Sequence, residues 1–431
     1  MAHPRLHAHL SAIVASALLI HSGDVLSEPL IHSCTHGEPR AMPITVSQPP
    51  AQDQSDLPLF LGRWNAEELD SPPLPVFDAT VTYVAGNIVV MGGFTHDLQA
   101  TPAVQIHHPT RGWAPIGSQL SQARARHTLT PLADGRVLIV GGVTTTSNDG
   151  SIELVPLASC EVLNPLVAGS SLVESLDEPL TGHTTHLLND NSVAVVGGKW
   201  VHIFDPESRT WVEHIELAHE RCDHASILLR DGRLLIIGGQ GCAAIEVVDL
   251  DGELHRGTRV STLWKEQLPV PLSGCSAIEL RDGRVLIAGG FNEQRQRTID
   301  SMLFVNVKKR IVEQGPRLAL QHGICSAQLD LDPDGRAVIL GGEWRTATAR
   351  GPANAVRLYD PIRNQLWRLP PLPNDCSRRA WFRNEASVLH AWGGYRFLNE
   401  NDAAITSESP GIHLNSQHLT LIMQPLPRLI D

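Results

Sequence analysis

Histidines and cysteines recur at one fixed distance from a repeated turn in this chain, so any chemistry would concentrate there. The turns are Asp134-Gly135-Arg136, Asn189-Asp190-Asn191, Asp231-Gly232-Arg233, Asp282-Gly283-Arg284 and Asp334-Gly335-Arg336. Asp-Gly supplies the positive φ that a tight hairpin requires. Seven residues before each turn's Asp stand His127, His183, His224 and Cys275, and allowing two inserted residues at Asp332-Pro333 adds Cys325. Arg124, Arg126, Arg221, Asp223, Cys376, Arg378 and Arg379 lie close by in the sequence. Imidazole, thiol and guanidinium groups gathered at one level could bind an anion or a soft metal. The default for any single histidine is plainer, a structural role in the core.

A second set of candidates follows each Gly-Gly pair. Phe94 and His96, Lys199 and Trp200, Gln240, Phe291 and Asn292, Glu343 and Trp344, and Tyr395 and Arg396 all fall just beyond one. Aromatic and charged loop tips around one opening suit recognition of a sugar or a protein surface. Trp200, Trp344 and Tyr395 sit so close to the glycines that packing between repeats is an equal possibility.

The elements that position these residues are short strands. Gly-Gly pairs begin at Gly92, Gly141, Gly197, Gly238, Gly289, Gly341 and Gly393, a period of about fifty residues. Apolar runs such as Val137-Leu138-Ile139-Val140 and Leu234-Leu235-Ile236-Ile237 precede them and predict strands buried on both faces. Another strand lies upstream of each turn, so every repeat holds a hairpin whose second strand ends in Gly-Gly. Two further strands are marked by Phe204-Asp205-Pro206 before Trp211 and by Tyr359-Asp360-Pro361 before Trp367, with degenerate versions elsewhere.

Together the hairpin, Gly-Gly, the aromatic-Asp-Pro turn and the tryptophan resemble the kelch repeat over about residues 57–427. The resemblance implies an all-β fold, a β-propeller of seven four-stranded blades, with the strand before each Asp-Gly turn lining a central channel. It places the start of every inner strand and every loop after Gly-Gly on one face. The seventh repeat is irregular: Gly411 to Asn415 and Leu419 to Gln424 are expected as its outer strands, yet the Trp64 segment competes for the outermost place.

The N-terminus carries Arg5 and then an apolar run from Leu10 to Ile20, too short to span a bilayer. The expected organisation is a signal peptide over 1–27, a Pro/Gln/Ser-rich linker over 28–56 and the propeller over 57–431. A secreted or periplasmic location follows, with no membrane attachment once the signal is removed. Seven cysteines lack metal-type C-x-x-C spacing; Cys222 to Cys242 or Cys242 to Cys275 are conceivable bridges. The net charge of −12 argues against nucleic acid as a partner.

A binding module rather than an enzyme is therefore expected, with no cofactor, taking a protein or glycan on the loop face. Its candidate contacts are Arg124, Arg126, His127, His183, Lys199, Trp200, Arg221, His224, Glu343, Trp344, Arg378, Arg379 and Tyr395. The alternative is an exported carbohydrate-active kelch enzyme resembling sialic-acid mutarotases, for which Glu343 with Arg378 or Arg379 could supply a carboxylate and a guanidinium. A copper enzyme resembling galactose oxidase is disfavoured, since only Tyr83, Tyr359 and Tyr395 are present. No G-x-S-x-G, P-loop or H-E-x-x-H motif occurs.

Overall fold

The computed structural model describes residues 45–46, 57–58, 62–68 and 72–397, with gaps at 115–117, 149–150, 166, 168–169, 251–258, 374–375, 377–378 and 384–388, and then 412–414 and 417–423. The expected signal peptide and nearly all of the linker lie outside the described residues, except that Thr45–Val46 pairs in parallel with Ala349–Pro352.

The apolar runs form strands with every residue buried, as in Asn87–Met91, Val137–Val140 and Ala337–Leu340. Each pairs antiparallel with a strand upstream of the turn and, on its other side, with a strand downstream of the Gly-Gly loop. The inner strands touch in ring order: Ala380–Arg383, Thr80–Val84, Thr128–Pro131, Thr184–Leu187, Ala225–Leu228, Ser276–Glu279 and Gln328–Leu331. We number the sheets first to seventh from the one holding Thr80–Val84.

Six of these sheets have four strands or more. The expectation of seven four-stranded blades is corrected at the third, which has three strands. There Val193–Asp205 is one continuous extended run that doubles back at Gly197-Gly198, pairing through 193–196 with Thr184–Leu187 and through 198–205 with Thr210–Arg221. Only Lys199 separates Gly198 from Trp200, so the reversal is tight, and Ser192 before it and Pro206 after it both lie at the turn end, where Arg136 donates to the Pro206 carbonyl at 3.0 Å.

The competition over the last sheet is resolved in favour of the N-terminal segment. Gly62–Glu68 pairs antiparallel with Gln417–Met423, which pairs with Leu389–Trp392. Ile412–Leu414, expected as an outer strand, instead pairs with Tyr395–Phe397 in a separate hairpin.

The Gly92-Gly93 pair shows why both residues must be glycine. Gly92 has a φ of 60° and faces the next sheet, where a Cβ would press on the Arg124 carbonyl and come 2.9 Å from His127 Cε1. Gly93 has a φ of 98° and faces its own sheet, where a Cβ would stand 2.7 Å from the Phe77 carbonyl oxygen. The pair therefore marks where two backbones approach on opposite sides at once. Tryptophans fill the outer gaps between sheets: Trp113 meets Trp392 edge-on at 6.0 Å, and Trp211, packed on Phe204 of its own sheet, donates to the Glu174 carbonyl beyond the second sheet at 2.8 Å.

Candidate functional site

Immediately before the inner strands of the first to sixth sheets the chain takes a left-handed turn at the channel rim. Asp78, Arg126, Gly182, Asp223, Gly274 and Ser326 have φ between 50° and 58°. Their backbones join across sheets: the Arg126 N–H donates to the Asp78 carbonyl at 3.0 Å, Asp223 to Gly182 at 2.9 Å, Gly274 to Asp223 at 2.7 Å and Ser326 to Gly274 at 2.7 Å. This belt lies on the Gly-Gly face.

One residue further in is the level that the turn spacing picked out. His127, His183 and His224 are buried there, and each ring reaches back to the first hydroxyl of the preceding sheet's inner strand. The pairs are His127 Nε2 with Thr80 Oγ1 at 2.7 Å, His183 with Thr128 at 2.8 Å, and His224 with Thr184 at 3.0 Å. Burial lowers all three pKa values: His183 to about 4, and His224 to about 3 with help from the Arg221 charge and from His183 and His186. His127 is pushed well below 6.5 by burial, then by Arg124 and His183. These are neutral rings that fasten one sheet to the next.

Cys275 shares this level, but Cys325 does not. The Asp332 N–H donates to Arg336 O as the Leu132 N–H donates to Arg136 O, so Asp332-Pro333 belongs to an ordinary turn with nothing inserted. Ala327 holds the equivalent position, directly before Gln328–Leu331. None of Cys160, Cys222, Cys242, Cys275, Cys325 and Cys376 forms a disulfide, which removes both conceivable bridges.

Arg124 and Arg221 are fully buried and bound within their own sheets. Arg124 donates to the Gly141 and Ser159 carbonyls at 2.9 and 3.0 Å and meets Glu161 Oε1 at 3.0 Å. Arg221 repeats the arrangement with the Gly238 and Ala244 carbonyls and Glu246. Burial opposes ionisation of Glu246, yet the Arg221 charge and the Ala218 N–H carry its pKa below the ordinary carboxylate value. Arg379 likewise donates to the Gly393 carbonyl at 3.2 Å. Arg126 pairs with Asp78 at 2.7 Å and covers the Phe94 ring.

The loop candidates separate. Glu343 is buried against Arg345 at 2.9 Å, and Trp344 is buried, stacked on His322 at 4.8 Å. Lys199 is exposed and pairs with Glu216 at 2.6 Å, beside the half-buried Trp200. Tyr395 begins the strand Tyr395–Phe397, and Arg378 lies outside the described residues.

Around this face the loops differ in height. Hairpins rise from the second sheet (Val143–Asn148 with Ser151–Pro156), the fifth (Phe291–Asn292 with Arg297–Thr298), the sixth (Glu343–Arg345 with Ala349–Pro352) and the seventh. The third and fourth sheets carry only short connections there. At this low side Asp223 is exposed, and Glu293 has its pKa raised, first by burial and also by the Asp223 charge.

Sequence reasoning missed the partners. Thr80, Thr128 and Thr184 each directly follow the level position, a recurrence readable in three repeats. Glu161 and Glu246 interrupt the apolar strands Cys160–Leu163 and Ile245–Asp249. A carboxylate in such a run signals a buried cation nearby.

These sheets and their ring define a β-propeller. No family model matches the chain, and no curated protein matches it. Among solved structures it is similar to a fungal alcohol oxidase of the AA5 family in complex with copper, at 13% identity and a TM-score of 0.59, covering 84% of this chain and 76% of that one. It is also similar to YjhT, at 14% identity and a TM-score of 0.50, covering 70% of this chain and 99% of that one. Both likenesses and the repeat fit a kelch-like propeller.

The tyrosines that a copper site like that of galactose oxidase would need do not gather. Tyr83 is the last but one residue of an inner strand, near its turn, and the Tyr359 hydroxyl donates to Asn364 in an outer turn, both at the end opposite Tyr395. Among the described residues no group of three or more His, Cys, Asp and Glu is placed to hold a metal.

Proposed function

We propose that this chain is an exported propeller that binds a protein or glycan surface on its Gly-Gly face, over the low side formed by the third and fourth sheets. The observation that carries this reading is the uneven crown. Hairpins from the second, fifth, sixth and seventh sheets wall the face, while Lys199, Trp200, Glu216 and Asp223 lie along the gap. Meanwhile His127, His183 and His224 are committed to joining neighbouring sheets, and Arg124 and Arg221 to bonds within their own. Recognition then falls to exposed loop groups on a rigid frame.

A glycan array probed with the mature chain tests this, with Trp200→Ala and Lys199→Glu as paired variants and cross-linking to co-exported proteins as a second arm. Loss of binding in both variants with unchanged melting supports the reading. Binding that survives both variants sinks it.

One observation favours the carbohydrate-active alternative. Glu293 is held toward its neutral form beside the exposed Asp223, and two carboxyls in unlike environments suit acid and base roles on a sugar. Accelerated anomer exchange of a free sugar, abolished by Glu293→Gln, would favour that enzyme.

A further inference from the structure

The opposite end of the channel, where the inner strands run into the Asp-Gly turns, has a different character. The last residues of three consecutive inner strands, Pro131, Leu187 and Leu228, join Leu129, Thr185 and His186 around an open cavity of about 450 Å³. That volume is in the range of small-molecule sites. Leu187 is 38% exposed, so the apolar wall is open to solvent.

His186 sets this cavity apart. The repeat does not call for it: the third residues of the flanking inner strands are Thr130 and Ile227. Its Nε2 lies 2.6 Å from Ser226 Oγ, which bonds Thr184 Oγ1, itself bonded to His224 at the belt end. Burial lowers the His186 pKa to about 4, so the ring is neutral at pH 7. With Nε2 engaged by Ser226, Nδ1 is the ring atom left to meet a ligand.

No Lys, Arg, Asp or Glu is among the residues that line the cavity. A charged ligand would lose hydration there without compensation, whereas an apolar body against Leu129, Pro131, Leu187 and Leu228 gains by leaving water. We propose that the cavity binds an uncharged, largely apolar small molecule with one hydrogen-bonding oxygen, such as a neutral amide, ketone or alcohol, held at His186 Nδ1. This site is separate from the Gly-Gly face and does not depend on what that face recognises.

The test uses benzamide with benzoate and benzylamine as charged counterparts of the same shape. Saturation-transfer NMR reports contact with protein, and ring-nitrogen shifts of histidine-labelled protein report the place. Benzamide is expected to shift the His186 resonances and to bind at least tenfold more tightly than either ion. Leu187→Trp, at a partly exposed position, should fill the cavity and abolish the effect with unchanged melting, while Trp200→Ala at the other face leaves it intact. Equal binding of the charged compounds, unmoved His186 resonances, or undiminished binding by Leu187→Trp each overturns the proposal.

Discussion

Two arcs of the inner ring use one backbone frame and different forces. From the first sheet to the fourth, His127, His183 and His224 meet Thr80, Thr128 and Thr184 in successive seams. From the fourth sheet to the sixth no histidine holds these positions: Ala225 stands with Cys275, and the Ser276 hydroxyl donates to the Ala327 carbonyl at 2.5 Å. There the seams are mainly apolar: Ala225, Leu272 and Cys275 share one cluster, and Ile324, Ala327 and Leu329 another. The difference teaches that belt and Gly-Gly geometry define the ring, while the seam chemistry is free to vary. A polar seam is directional and sensitive to protonation; an apolar one is neither.

Acid should separate the arcs most. A histidine whose native pKa lies below its ordinary 6.5 binds fewer protons folded than unfolded. Its contribution is full above about 6.5, declines as pH falls toward about 3–4, and levels off below that. Each pKa unit is worth about 1.4 kcal/mol at a site, so several sites titrating together outweigh any single substitution. The Nδ1 atoms of His127 and His224 are buried without hydrogen bonds, which leaves an added proton unsolvated. Hydrogen exchange at pH 4.5 should show the first to fourth sheets losing protection before the fifth and sixth; simultaneous loss would erase the distinction.

Next in size is the buried ion pair. Glu246→Ala strands Arg221 and should cost about 3–5 kcal/mol in urea unfolding, with the Arg221→Met/Glu246→Leu double variant closer to wild type than Glu246→Ala alone. On the apolar side, Leu272→Ala should cost about 2–5 kcal/mol and show no dependence on pH between 4 and 7. A polar seam loses less when one bond goes: Thr128→Val, leaving His183 Nε2 without its partner, should cost about 1–3 kcal/mol. Smallest is Lys199→Ala, where an exposed pair is lost and the melting temperature should not move.

Much of the frame was readable because backbone geometry leaves few residue choices. Gly-Gly and Asp-Gly mark positions that other residues occupy only with strain, so their spacing located the hairpins and the face they share. Cys325 was misplaced because only the hydrogen bonds of the Asp332–Arg336 turn distinguish a proline in a turn from an insertion. Glu343 and Trp344 follow Gly-Gly as exposed tips would, yet a hairpin folds them inward, and that depends on residues 349–352 returning to pair. The His–Thr seams join residues about fifty positions apart, and nothing local announces such a bond.

The strand Gly62–Glu68 has a consequence in time. It closes the last sheet against Gln417–Met423, so segments about 360 residues apart along the chain must find each other. The earlier segment has no partner until the later one has been made, and until then the last sheet lacks that pairing. Closure of the last sheet is thereby tied to the presence of Gln417–Met423, and a chain cut short before Gln417 cannot clasp itself there.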